Sequence, residues 1–171
     1  MILVDTGAAT PLPDTGTPHI RDDRQPRNIS RWWNLGIRRA NRLAQQDHDA
    51  TEWNIVVLND DCIVPAGWVS AMSTEMRASS ATLAYPRMWH KITGYAFMLR
   101  GEHQLRADET LVWWYGDDDL EYQARAAGGV AVVATMVDHR HPDEQTYADP
   151  ELMAQAERDA KTFQAKWGRM P

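Results

Sequence analysis

The run Ile55-Val56-Val57-Leu58, which stops abruptly at Asn59-Asp60-Asp61, constrains this chain more than any other stretch. It is too short for a helix and too continuously apolar for a half-wet strand. Residues 53–58 are therefore expected to form a strand covered on both faces. Strands of that kind lie in sheets flanked by helices, which predicts an α/β fold. Weaker runs at 2–4, 81–86, 94–100 and 130–137 supply further strands. A helix is expected over 30–46, capped by Ser30, with Trp33, Ile37, Ala40 and Leu43 or Ala44 facing inward. Others are expected from Pro65 to Arg77, over 120–127 before Gly128-Gly129, and over 149–167. Residues 8–29 carry four of the nine prolines and no period, and read as an extended loop. The connection from strand 2–4 through helix 30–46 to strand 53–58 is expected to be a right-handed βαβ crossover. The sum is one domain with a mostly parallel sheet over residues 1–148. A C-terminal helix, within 149–171, packs back on it through Leu152, Ala156, Ala160 and Phe163.

Charge narrows the partners. Eighteen Lys+Arg against 24 Asp+Glu give a net charge of −6, so no direct nucleic-acid affinity is expected. No apolar run is long enough for a transmembrane segment. Met1-Ile2-Leu3-Val4-Asp5 lacks the basic start and longer apolar core of a secretory signal, so the expected location is cytoplasmic. One cysteine, Cys62, excludes an internal disulfide framework.

Polar clusters follow three of the apolar runs: Asp5, then Asn59, Asp60 and Asp61, then His139 and His141. In open α/β sheets ligands bind outside the carboxyl ends of the strands, where such residues can meet. Asn59-Asp60-Asp61 can supply oxygen ligands to a divalent cation, or can be a solvated turn. His139 and His141 alternate around Arg140 and share one side of an extended segment. One imidazole joining the carboxylates would suit Mn²⁺ better than Ca²⁺. Asp117-Asp118-Asp119 precedes the helix over 120–127, at an amino end where one acid is enough for the exposed N–H groups. The preceding Trp113-Trp114-Tyr115-Gly116 offers aromatic faces for a sugar ring, or core. An acid there, its pKa raised by its neighbours, can serve as general base.

The order of these motifs resembles the inverting nucleotide-sugar glycosyltransferases of the GT-A fold, especially the family-2 type. Val4-Asp5-Thr6-Gly7 is similar to their strand-end Val-Asp-Asn-Gly, and Asn34-Leu35-Gly36-Ile37 to their Asn-x-Gly-Ile helix. Asn59-Asp60-Asp61, continued by Pro65-Ala66-Gly67-Trp68, is similar to their Asp-x-Asp metal motif. Thr93-Gly94 with Phe97 resembles the Thr-Gly-x-x-Phe strand under the acceptor site. Gly116-Asp117-Asp118-Asp119-Leu120 resembles the block that carries the base.

The resemblance implies a metal-assisted transfer, with Mn²⁺ or Mg²⁺ held by Asp61, Asn59 and His139 or His141. A UDP- or GDP-linked nucleotide-sugar donor would be touched by Asp5, Asn34, Asn59 and Asp60. Trp89, Thr93, Gly94, Trp113 and Trp114 would line the site of a glycan, protein or small-molecule acceptor. Asp117 or Asp118 would be the catalytic base, Asp117 preferred. Asn59 departs from the first metal position, and Gly116 stands where the family has Glu. Residues 2–4 already match the family's second strand, so its first strand and helix have no counterpart. Either the start is truncated, or an oligomer or partner chain or the loop at 8–29 fills that gap, or the donor site is minimal. Two other readings are a metal-dependent nucleotidyltransferase, which would usually add a Gly-rich loop with Lys or Arg, and a non-catalytic binding protein of the same fold.

Overall fold

Ala96, Phe97, Met98 and Leu99 are each at most 1% exposed, and the sheet is organised around them. The computed structural model describes residues 1–6, 16–47, 50–88, 91–140, 147 and 149–171. In chain order the elements are strands β1 (Leu3–Asp5) and β2 (His19–Arg21), helix α1 (Ile29–Arg42), and strands β3 (Asn54–Leu58) and β4 (Cys62–Ile63). Helix α2 (Trp68–Ala78), strands β5 (Leu83–Pro86) and β6 (Ala96–Arg100), and helix α3 (Gly116–Ala127) follow. Strands β7 (Val130–Val133) and β8 (Asp138–His139) and helix α4 (Pro150–Trp167) complete the chain.

The fold is mixed α/β, and its main sheet has the order β3-β6-β5-β7. The expected mostly parallel sheet is replaced by a mixed one. Within this sheet, β6 runs antiparallel to both β3 and β5, and β5 and β7 pair in parallel. The reason is connection length. Nine residues, 87–95, join β5 to β6, which suffices for a reversal, whereas a parallel crossover needs roughly a dozen or more. The longer connection through α3 then brings β7 alongside β5 in parallel.

Alternation along β6 divides the core into two layers. Phe97 and Leu99 join Leu83, Tyr85 and Ile55 under Trp33 and Ile37 of α1 and Leu120 and Ala124 of α3. Ala96 and Met98 join Ala84, Ala131 and Val133 under Trp68, Met72 and Met76 of α2. The sheet is thus sandwiched between helices. Coverage fails at β3, where Val56 is 37% and Leu58 41% exposed, against the expectation of a strand buried on both faces. They lie opposite Met98 and Ala96, on the face that α2 covers, but beyond its reach.

Strand β1 forms where residues 2–4 predicted a strand, but it pairs in parallel with β2, not with β3. The predicted crossover within one sheet is therefore not made, although α1 packs on both β1 and β3. Strand β2 lies inside the stretch read as loop. Three residues with one apolar side chain carry no detectable period.

The helix boundaries also differ. Asn28, not Ser30, caps α1, accepting the Arg31 N–H at 2.8 Å, while the Ser30 hydroxyl donates to Leu111 O at 2.6 Å. A π-helical turn, Leu43–Asp47, carries the predicted end of that helix. Helix α2 starts at Trp68 after Gly67, whose left-handed φ of 78° ends the turn that Pro65 opens. Helix α3 starts at Gly116, so all three acids lie in its first turn rather than before it. Helix α4 seats Phe163, fully buried, against Tyr115 and Tyr122. No helix among the described residues is long and apolar enough to cross a membrane.

Candidate functional site

Strands β3 and β7 end, and β6 begins, at one edge of the sheet. Beyond it β4 and β8 form a short antiparallel ladder with Cys62 opposite His139. Asp61, just before β4, has its backbone carbonyl held by the Arg140 N–H at 3.0 Å. Its carboxylate Oδ2 lies 3.2 Å from His139 Nε2. Tyr95 stacks on the His139 ring, with centroids 4.3 Å apart and planes 11° from parallel. The Asn59 N–H donates to Tyr95 O at 2.9 Å, and Asn59 O accepts from the Cys62 N–H at 3.3 Å. Asp61, His139 and Asn59 are thus brought together, and Asp60 is exposed beside them. Cys62 joins them with no place in the sequence-predicted set, because only the β4–β8 register sets it opposite His139. Burial, and then the Asp61 carboxylate, push its thiol up to about 12.

The second part of the site is the first turn of α3, whose three acids have different surroundings. Asp119 is fully buried and committed to the chain itself. Its carboxylate accepts from Trp167 Nε1 at 2.9 Å and Gln123 Nε2 at 2.7 Å, and pairs with Lys166 Nζ at 2.8 Å. Burial raises the Asp117 carboxyl above the ordinary range, against the opposing pull of the Asp118, Asp117 and Gly94 N–H groups and Lys91. Burial, then the Asp117 charge, push Asp118 up to about 7, with Lys91 Nζ 3.9 Å away. Asp117 and Asp118 are therefore the two acids of this turn whose carboxyls lie above the ordinary range.

Gly94 makes this approach possible. A Cβ there would lie 2.9 Å from the Trp33 ring and 3.4 Å from Asp117 Oδ2. Gly116 is explained the same way: any side chain would run into the Ser30 hydroxyl, so the Glu expected from the resemblance has no room. Gly94 and Tyr95 are consecutive, one against Asp117 and the other against His139. The loop before β6 thus joins the acid pair to the Asp61–His139 pair.

Aromatic residues border the acids. Trp113 meets Trp32 edge-on at 6.1 Å, and Trp114 meets Tyr147 at 5.9 Å. Their backbone is held by a residue outside the sequence-predicted set. The Asp159 carboxylate, 1% exposed on α4, accepts from the N–H groups of Val112 (3.1 Å), Trp113 (2.7 Å) and Trp114 (2.9 Å). An acid on the inner face of an otherwise apolar helix stripe was the available signal. The Thr93 hydroxyl and the Trp32 indole N–H are buried without a hydrogen-bond partner among the described residues.

Other predicted residues are placed elsewhere. Asn34 is buried on α1, and its amide ties the helix to the loop before α3: it donates to Ala107 O and Glu109 Oε1 and accepts from the Ala107 N–H. That accounts for the residue without a ligand. Asp5 is buried at the end of β1, 3.4 Å from Arg21 Nη1, in the two-stranded sheet. Trp89 and His141 lie outside the described residues.

The donor set decides how well the implied cation fits. A carboxylate and an imidazole 3.2 Å apart suit a divalent cation such as Mn²⁺. Mg²⁺ prefers oxygen throughout, and the sulfur beside the pair suits it least. No family model, curated protein or solved structure matches the chain.

Proposed function

We propose that this chain is an inverting glycosyltransferase of GT-A type, moving a sugar from a UDP- or GDP-linked donor to an acceptor hydroxyl. The observation that carries the reading is the loop before β6, where Gly94 meets the Asp117 carboxylate and Tyr95 stacks on His139. An acid of raised basicity and a ligand pair for a cation then face one sheet edge, as a displacement at a phosphate-linked carbon requires.

Asp117 takes the proton of the acceptor hydroxyl as that oxygen attacks the anomeric carbon from the face opposite the leaving group. Asp118, next to it, keeps the local charge adjustable through its own proton. Asp61 and His139 would hold a divalent cation, which when bound supplies positive charge to the leaving diphosphate. Asn59 and Asp60 border the donor side. Trp113 and Trp114 offer faces to a sugar ring, with Thr93 and Gly94 at the floor of the acceptor site. A single displacement of this kind inverts the anomeric centre.

The test is a panel of nucleotide sugars and nucleoside triphosphates, with and without simple acceptors, reading released nucleoside diphosphate and pyrophosphate. Nucleoside diphosphate release from one sugar donor is expected, with Asp117→Asn reducing turnover by roughly a thousandfold or more while donor binding stays within about twofold. Near-wild-type turnover by that variant removes Asp117 as base. Pyrophosphate release from a triphosphate would instead support a nucleotidyltransferase. Donor binding without any turnover would support a binding protein.

A further inference from the structure

Cys62 and His139 are register partners across the β4–β8 ladder, so their side chains leave the same face of it, and Asp61 immediately precedes Cys62. One ligand atom from each of the three lies within 4.8 Å of the other two. Asp61 Oδ2 is 3.2 Å from His139 Nε2, and Asp61 Oδ1 is 3.8 Å from Cys62 Sγ. Tetrahedral zinc, with bonds of about 2.0–2.3 Å, separates neighbouring ligand atoms by roughly 3.3–3.7 Å. The Asp61–His139 spacing lies just below that range and every pair lies within 4.8 Å, before any ion draws the side chains in. The frame is also fixed in advance. Tyr95 stacks on the imidazole, Tyr95 O accepts from the Cys62 thiol at 3.6 Å, and the Arg140 N–H holds the Asp61 carbonyl.

We propose that Asp61, Cys62 and His139 form a zinc-type site, binding Zn²⁺ through one carboxylate oxygen, one sulfur and one imidazole nitrogen. The fourth position is open to water or to a phosphate oxygen. Sulfur is what separates this site from the Mn²⁺ or Mg²⁺ of the family pattern. A thiolate ligand selects Zn²⁺ strongly over both, and three protein ligands with an open position suit a reactive rather than a structural zinc. On binding, the Cys62 S–H bond breaks as the S–Zn bond forms, and the proton leaves to solvent. The inference deepens the transferase reading by naming its cation, and rests on that reading only for what the cation does there.

The decisive experiment titrates the full chain, stripped with a chelator, with Co²⁺ as a spectroscopic stand-in for Zn²⁺. The expected result is a near-ultraviolet sulfur-to-cobalt charge-transfer band with intense tetrahedral visible absorption. Stoichiometric Zn²⁺ abolishes both, and a large excess of Mg²⁺ abolishes neither. Cys62→Ser should lose the near-ultraviolet band and bind Zn²⁺ roughly tenfold or more weakly. His139→Gln should also bind weakly but keep the band at saturating Co²⁺. Circular dichroism identical to the parent shows that each variant is folded. Absence of the band in the parent chain, or unchanged Zn²⁺ affinity in Cys62→Ser, overturns the site. No donor or acceptor is present, so a chain that binds Co²⁺ as described but releases no nucleotide keeps the zinc site and loses the transferase. Nucleotide release from a chain lacking the band does the opposite.

Discussion

Replacing Asp159 by Ala tests whether α4 organises the aromatic loop before α3. The carboxylate accepts three backbone N–H bonds, from Val112, Trp113 and Trp114, and a fourth from Gln155 Nε2 at 2.7 Å. Hydrogen bonds to a charged acceptor contribute about 1.5–3 kcal/mol each, and their sum is not additive because the freed amides recover part of it from entering water. The expected loss is about 3–5 kcal/mol, at the upper end for one substitution. For a chain of this length that lowers Tm by roughly 6–20 °C. Asp159→Asn keeps one accepting oxygen but loses the charge, and should cost about half as much. Urea unfolding followed by tryptophan emission gives the free energies. Acrylamide quenching of the native state reports whether Trp113 and Trp114 become more accessible. Glu157→Ala, exposed on the same helix, is the control and should change stability by less than about 0.5 kcal/mol. An Asp159→Ala loss below about 1 kcal/mol, with quenching unchanged, would show that α4 does not organise this loop, since three part-buried amides cannot lose a charged acceptor so cheaply.

Stability should also depend on pH in two opposite ways. The Asp118 carboxyl sits at about 7 in the folded chain against an ordinary 3.8, so the folded state binds its proton more tightly. Unfolding free energy therefore falls as pH rises from 3.8 to about 7, and Asp118→Asn should flatten that fall in urea titrations. At Asp22, burial raises the carboxyl, but hydrogen bonds and charge from Arg24 and Arg31 outweigh it and hold the group at about 2. Its contribution is complete above 3.8 and lost as pH drops toward 2, a limb that Asp22→Asn should remove. Gly116→Ala should destabilise by about 1–3 kcal/mol, because the new methyl meets the Ser30 hydroxyl. Adding Ser30→Ala should recover part of that loss, and strictly additive effects in the double-mutant cycle would show the two do not touch.

The longer helices and the strands of the main sheet were legible in the amino-acid sequence, whereas the short strands β2, β4 and β8 were not. Apolar runs over 2–4, 55–58 and 130–137 marked strands, because short β-branched stretches favour extended backbone, although β7 ends at Val133 and β3 is left partly exposed. The amphipathic spacing of Trp33 and Ile37, and of Phe163 on the last helix, marked faces that had to be covered. The acids at 117–119 and the Asn59–Asp61 turn were visible as polar clusters at element ends. Tertiary structure decided which strands pair and which acids are free. A nine-residue connection reversed β6, and β1 went to β2, because pairing depends on chain geometry that side-chain periodicity does not encode. Asp119 is set apart from Asp117 and Asp118 by Trp167 and Lys166, brought to it from the far end of the chain, together with Gln123 one turn along α3. Cys62 gains an imidazole partner 77 positions away only through the register of a two-residue ladder. Local hydrophobicity is carried along the chain, but proton affinity and ligand geometry are set by neighbours in space, and those exist only once the chain is folded.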